Sequence, residues 1–248
     1  MSGPDEHPWE GTSALSQNEA ERILQVYSHR TESELLYAPW RIDTAYMRAE
    51  RTWLAAKMLK NSKAFPNAHS KCLEIGFGSM GWLAELLGWG VPVSNLHGIE
   101  LDARRAMVAS HQLPQADLRV GDASHLPWAD KSFDLVVIST VLSSVLDQNM
   151  RRAVAGETVR VLCDGGVLLW YDMRRNNPWN SDIRKVTEHE LRSLFPQLSG
   201  QVYSLTLVPQ IARALAPFSI ALTFVLARVP FLRTHLMAVL RKAQAADH

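Results

Sequence analysis

A short apolar run, Cys72–Ile75, stops at Gly76-Phe77-Gly78-Ser79-Met80-Gly81, and a helical pattern follows at once from Gly81 to Trp89. A strand that feeds a glycine turn and then a helix is the first half of a βαβ unit, and it commits the chain to a parallel sheet. Gly76 and Gly78 can take backbone angles barred to other residues and let a ligand approach the main chain. The helix start behind them leaves backbone N–H groups free. Alone, such a turn serves a dinucleotide, another nucleotide or nothing.

The rest of the chain repeats the pattern. Leu96–Ile99 and Leu118–Val120 are short apolar runs, and Ala103–Gln112 between them is helical. Phe133–Ser139 is apolar throughout and valine-rich, as a strand buried on both faces should be. Met150–Leu162 reads as a helix, Gly166–Tyr171 as a strand, Thr187–Phe195 as a helix with Thr187 and Glu190 in capping-box positions, and Gln201–Val208 as an alternating strand. Strands alternating with helices imply an α/β, three-layer Rossmann-like fold, a mostly parallel sheet with helices on both faces.

The flanks differ from this core. Residues 15–65 read as a helical N-terminal cap, with apolar periodicity at Glu19–Val26 and Thr44–Leu59 separated at Pro39. Residues 1–14 are polar, without the basic and apolar regions of a signal peptide, and are expected to be disordered. The core is expected over 66–208 and a C-terminal helical segment over 209–248. Pro217–Leu240 is apolar but interrupted by Arg228, Pro230, Arg233 and His235, so two short amphipathic helices broken at Val229-Pro230 are expected rather than a membrane span. That segment could cap the core, join two copies into a homodimer, or lie on a membrane surface through 217–242. One clear strand follows the last core helix, so the closing hairpin of the sheet is expected to be incomplete or displaced.

Acidic residues sharpen the glycine turn. Glu100 ends the second strand, where a carboxylate can accept from both ribose hydroxyls. Asp122, in Val120-Gly121-Asp122-Ala123, is placed to accept from an adenine amino group, and Ser132-Phe133-Asp134 opens the fourth strand. Each has an ordinary alternative as surface acid, turn residue or cap. In this order and spacing they resemble the class I methyltransferases over Lys71–Tyr171, including Val161-Leu162-Cys163-Asp164-Gly165-Gly166 before the fifth strand.

The resemblance implies a seven-stranded fold with S-adenosylmethionine across the carboxyl ends of the strands. By position, Glu74, Gly76 and Gly78 would line the methionine side, Glu100 would hold the ribose with Leu101 beside the adenine, Asp122 and Ala123 would flank the adenine, and Ser139 would lie beneath the sulfonium. Met80 stands where the family often has a third glycine, with Gly81 one place late. Ser143-Ser144 stand where many small-molecule relatives have a histidine pair.

Acceptor-side candidates follow the fifth strand in Trp170–Asn180. Tyr171 or Asp172 could act as base, and Arg174 could pair with an acidic group; a structural Arg174–Asp172 pair is the alternative. Tyr27, Tyr37, Trp40, Arg41 and Tyr46 could line a pocket from the cap, or pack as core. The net charge of +1 gives no field for nucleic acid. Cys72 and Cys163 lie in apolar runs, so neither a disulfide framework nor a zinc site is expected, and a reducing, cytoplasmic setting fits, with peripheral membrane contact open. No spaced carboxylates or histidines suggest a metal. The function expected is O-methylation of a small polar acceptor such as a sugar or secondary metabolite. Carboxylate or amine methylation of a peptide or metabolite, and a non-catalytic cofactor-binding scaffold, are the alternatives.

Overall fold

The structure is a computed structural model and describes residues 14–28, 38–177 and 180–244. The expectations for most of the 1–14 tail, for Tyr37 and for Pro178-Trp179 lie outside those residues. In chain order the elements are α1 (Ala14–Ser28), α2 (Ile42–Asn61), β1 (Cys72–Ile75), α3 (Leu83–Gly88), β2 (Leu96–Glu100), α4 (Ala103–Gln112), β3 (Asp117–Val120), β4 (Phe133–Ser139), α5 (Gln148–Val161), β5 (Leu162–Met173), α6 (Glu188–Leu194), β6 (Leu198–Leu207), α7 (Pro209–Leu215), α8 (Ile220–Leu226) and β7 (Arg233–Lys242).

Seven strands form one sheet in the order β3-β2-β1-β4-β5-β7-β6. β1 to β5 run parallel, and β7 runs antiparallel between β5 and β6. Successive residues of the central strands enter opposite cores. Val137, Leu169 and Met237 pack under α2, α3 and α4 through Met58, Leu59, Leu86 and Ala109. Val136, Ile138, Leu168, Trp170 and Leu240 pack under α5 and α6 through Val154, Val161 and Leu191. Burial on both faces is why these strands read as continuous apolar runs. The order reverses at β1/β4, and the crevice beyond the carboxyl ends there is where open α/β sheets bind ligands.

The C-terminal segment corrects the sequence reading. Only Ile220–Leu226 of the supposed helical pair is helix; a single 3-10 turn, Pro230–Leu232, leads into β7. Leu236–Leu240 lies buried between two partner strands, so both of its faces are apolar and its local pattern matches a buried helix equally well. The closing hairpin is therefore complete, and the sheet runs on to Lys242 rather than ending before 209.

α1 stands outside the layers. Ala20 and Ile23 pack on Val145 and Met150. Glu19 accepts from the backbone N–H groups of Leu146 and Asp147, and Arg22 donates to the Ser144 carbonyl at 2.6 Å. The helix thus lies across the loop that follows β4.

Candidate active site

The glycine turn is organised by two buried carboxylates. Gly76 and Gly78 have φ of +71° and +59°, the left-handed region their sequence anticipated. The Gly78 N–H donates to Glu100 Oε2 at 2.7 Å, and Asp102 N–H donates to Glu100 Oε1 at 3.0 Å. Glu74, 1% exposed, accepts from the backbone N–H groups of Trp82 (2.7 Å) and Leu83 (3.0 Å), so it caps α3. Burial pushes its carboxyl up to about 8, against the pull of those N–H groups and of Arg51.

Glu74 also accounts for the late third glycine. Gly81 has φ +49°, and a Cβ there would meet the Glu74 carboxylate and, at 2.6 Å, the Phe77 carbonyl. Met80 packs against the core under α2 and α3. The glycine is needed at 81, where the cap passes.

Below α1, the edges of β1, β2 and β4 enclose a cavity of about 650 Å3, part of it open to solvent. Gly76, Glu100, Leu101, Asp122, Ala123 and Ser139 line it; Glu74 and Gly78 do not. Those two were placed on the methionine side by position, but their polar groups are spent inside the turn. Tyr27 and Ile23 of α1, Arg105, and Thr140, Val141 and Ser144 of the post-β4 loop complete the walls. Tyr27 Oη lies 3.2 Å from Ser144 Oγ, and the Arg105 guanidinium stacks on the Tyr27 ring at 4.9 Å. No short-range signal in the sequence marks Arg105 or the post-β4 loop as walls.

The lining suits an adenosyl group. Asp122 accepts from Ser124 N (2.8 Å) and Ser124 Oγ (2.7 Å). Like Glu100 it keeps unused lone pairs, since each carboxylate oxygen can accept twice. Two acceptors and the apolar Ile99, Leu101 and Ala123 in one lining match a ribose diol and a flat amine-bearing ring.

The acceptor-side candidates turn out differently. Tyr171 and Asp172 are successive residues of β5 and face opposite sides of the sheet. Asp172 is fully buried and accepts from Ser143 N at 3.0 Å and Met173 N at 2.8 Å. Burial raises its carboxyl to about 6. It ties the post-β4 loop to β5 and does not face the cavity, which corrects its reading as a base. Tyr171 hydrogen-bonds Thr206 Oγ1 at 2.9 Å, does not line the cavity, and burial pushes its phenol up to about 12. Arg174 donates its backbone N–H to Thr234 O at 2.9 Å and does not line the cavity. Among the described residues no ion pair joins it to Asp172. No group of histidine, cysteine or carboxylate side chains among those residues could hold a metal. Of the cap residues, Tyr46 packs in the α7–α8 cluster, Arg41 pairs with Asp43 at 3.1 Å, and Trp40 is 77% exposed.

Comparison with known proteins agrees with this geometry. Residues 73–170 match the family model described as a methyltransferase domain. The chain is 37% identical over 107 residues to phthiotriol/phenolphthiotriol dimycocerosates methyltransferase 1 of Mycobacterium ulcerans, covering 40% of this chain and 36% of that one. It is 29% identical over 159 residues to demethylmenaquinone methyltransferase of Alkalihalophilus pseudofirmus, covering 61% and 62%. The chain thus spans about a third of the length of the mycobacterial relatives it matches. Among solved structures, the YcgJ protein from Bacillus subtilis superposes with a TM-score of 0.58 at 18% identity, over 80% of this chain and 100% of that one. Geranyl diphosphate methyltransferase in complex with SAM superposes at 0.60 and 14% identity, over 77% and 85%. The glycine turn, Glu100 and Asp122 all fall inside the segment that matches a methyltransferase domain, residues 73–170, and the solved methyltransferase structure shares the fold of this chain.

Proposed function

We propose that the protein transfers a methyl group from S-adenosylmethionine to a hydroxyl of a small-molecule acceptor such as a sugar or secondary metabolite. The observation that carries this is the Glu100 carboxylate, which closes the glycine turn through Gly78 and lines the cavity together with Asp122. Bound S-adenosylmethionine supplies an already activated sulfonium methyl. The chain's own part is then to hold the cofactor, exclude water and align the acceptor. Both relatives named above are methyltransferases whose printed acceptors are small molecules, which supports a small-molecule acceptor here.

The test is calorimetric titration with S-adenosylhomocysteine. Glu100→Ala should weaken binding about 5- to 150-fold, the equivalent of about 1–3 kcal/mol for lost charged hydrogen bonds. No binding at millimolar ligand, or unchanged affinity in the variant, sinks the proposal. Methyl transfer to carboxylate or amine acceptors, with none to hydroxyls in the same panel, selects the alternative acceptor class. Binding without any transfer selects a scaffold.

A second reading concerns where the acceptor is met. Phe218, Ile220, Val225 and Phe231 are 88%, 56%, 60% and 67% exposed, an unusual concentration of large apolar side chains around α8. No acidic residue occurs between Glu190 and Asp247, whereas Arg192, Arg213, Arg228, Arg233, Arg241 and Lys242 do. No helix among the described residues is long and apolar enough to cross a membrane. Apolar side chains with basic neighbours suit the interface of an anionic bilayer. Because β7 belongs to the sheet, the contact narrows from 217–242 to about 217–232. The protein is expected to sediment with anionic vesicles and a Phe218→Ser/Phe224→Ser/Phe231→Ser variant to remain in the supernatant. A wild type that stays in the supernatant excludes membrane contact.

A further inference from the structure

A second polar cluster lies next to the cavity, on the sheet face covered by α2. Ser139, which lines the cavity, is in register with Tyr171 on the neighbouring strand. The Tyr171 ring stacks on His235 with centroids 4.8 Å apart and planes 1° from parallel. Thr206, whose hydroxyl meets Tyr171, donates its backbone N–H to Glu50 Oε2 at 3.2 Å. Arg51 places its guanidinium 4.5 Å from the Trp82 ring and 5.7 Å from that of Tyr171.

Two features of this cluster are costly for mere packing. Thr206 is β-branched yet has φ +65°, a conformation that persists only where surrounding structure imposes it and that gathers at ligand sites. Arg51 Nε and Trp82 Nε1 are buried without a hydrogen-bond partner among the described residues. Orphaned polar atoms are rare in native folds, and two side by side mark a place that a ligand or solvent completes.

His235 Nδ1 lies 2.9 Å from Thr234 Oγ1, and that hydroxyl also reaches the Thr206 carbonyl at 3.1 Å. A hydroxyl proton placed on the carbonyl makes Nδ1 the donor and leaves Nε2 an acceptor to which no described residue donates. Burial, with Arg51 nearby, pushes the imidazole down to about 3, so the ring is neutral at physiological pH.

We propose that this face is the polar subsite of the acceptor, that His235 Nε2 accepts a hydrogen bond from an uncharged hydroxyl there, and that the Arg51 guanidinium beside it rejects ammonium groups. The inference rests on the methyltransferase reading above and names the residues that would select its hydroxyl acceptor. Two acids lie near Arg51: Glu50 is engaged by Thr206 N–H and burial raises its carboxyl above the ordinary range, and Glu85, 4.0 Å from Arg51 Nη2, is held by Arg48 at 2.8 and 2.9 Å, so neither reverses the charge preference.

The probes are 2-naphthol and 1-naphthylmethylamine, titrated into the full chain saturated with S-adenosylhomocysteine. The wild type should bind the naphthol about tenfold or more tightly than the ammonium compound. His235→Phe should lose about 5- to 10-fold in naphthol affinity, the effect of one hydrogen bond, with S-adenosylhomocysteine affinity unchanged. His235→Gln, whose amide oxygen can take the place of Nε2, should recover part of it. Equal affinity for the two probes, or a His235→Phe variant that binds naphthol as the wild type does, overturns the inference. If His235→Phe does not fold, 15N spectra of the wild type decide: a proton on Nδ1 is expected, and a proton on Nε2 overturns it. Failure to bind S-adenosylhomocysteine would instead defeat the methyltransferase reading, so the two failures are separable.

Discussion

Gly81→Ala is expected to be among the most damaging single-methyl additions in the chain, costing about 3–5 kcal/mol and lowering Tm by about 10 °C. The backbone at Gly81 has φ +49°, which alone disfavours alanine by about 1–2 kcal/mol. The added Cβ would also meet the Phe77 carbonyl at 2.6 Å and the Glu74 carboxylate. Neither can yield cheaply. Phe77 O belongs to the turn itself, and Glu74 is buried and holds the first N–H groups of α3. Displacing it leaves a buried carboxylate and two backbone donors unpaired. Two other glycines calibrate the measurement. Gly90, at φ +94° with nothing within 4 Å of a Cβ, should cost only the backbone strain. Gly156 lies inside α5 with open space around it, and alanine there should stabilise by about 0.5–1 kcal/mol. Thermal denaturation of the three variants is the check. Gly81→Ala within about 1 kcal/mol of Gly90→Ala would show that Glu74 does not organise the turn.

Glu74 also shows where sequence reasoning reaches and where it stops. Strands β1, β2 and β4, the glycine turn and the acids at 100 and 122 are legible because their chemistry is local. A strand buried on both faces is apolar, a left-handed turn wants glycine, and an acid at a strand end stands at the sheet's carboxyl edge. The direction of a carboxylate is not local. Glu74 and Glu100 flank the same turn, yet one lines the cavity and the other caps a helix. The same limit hid β7, whose run Leu236–Leu240 is apolar because strands lie on both sides of it. Tyr171 and Asp172 are neighbours on a predicted strand, and alternation lets only one of them face a given ligand. His235 remained an interruption in an apolar segment until the strand that carries it was paired beside Met173.

Arg151→Met should cost about 3 kcal/mol in stability and weaken S-adenosylhomocysteine binding, although the side chain does not touch the cavity. Arg151 is fully buried; its Nε donates to Val145 O at 2.6 Å, and its Nη1 to Glu190 Oε1 at 2.6 Å. Nη2 reaches Arg184 O at 3.3 Å. One guanidinium thus joins α5, α6 and the loop after β4. Breaking a buried ion pair costs about 3–5 kcal/mol because the remaining partner is stranded. The lower end applies here, since Glu190 is 22% exposed and keeps Arg184 at 2.6 Å. The functional part follows from Val145. Val141, Ser144 and Val145 form one wall of the cofactor cavity. That loop is held from below by Arg151 at Val145 and by Asp172 at Ser143, and from above by Arg22 at Ser144. Freeing the Val145 carbonyl should loosen the wall and cost the ligand its ordering. Methionine keeps most of the apolar stem in place, so packing is preserved while the donors are removed. Chemical denaturation and calorimetry on the same preparation separate the two effects. A variant that loses stability but binds S-adenosylhomocysteine at wild-type affinity would show that α1 and Asp172 suffice to hold the wall.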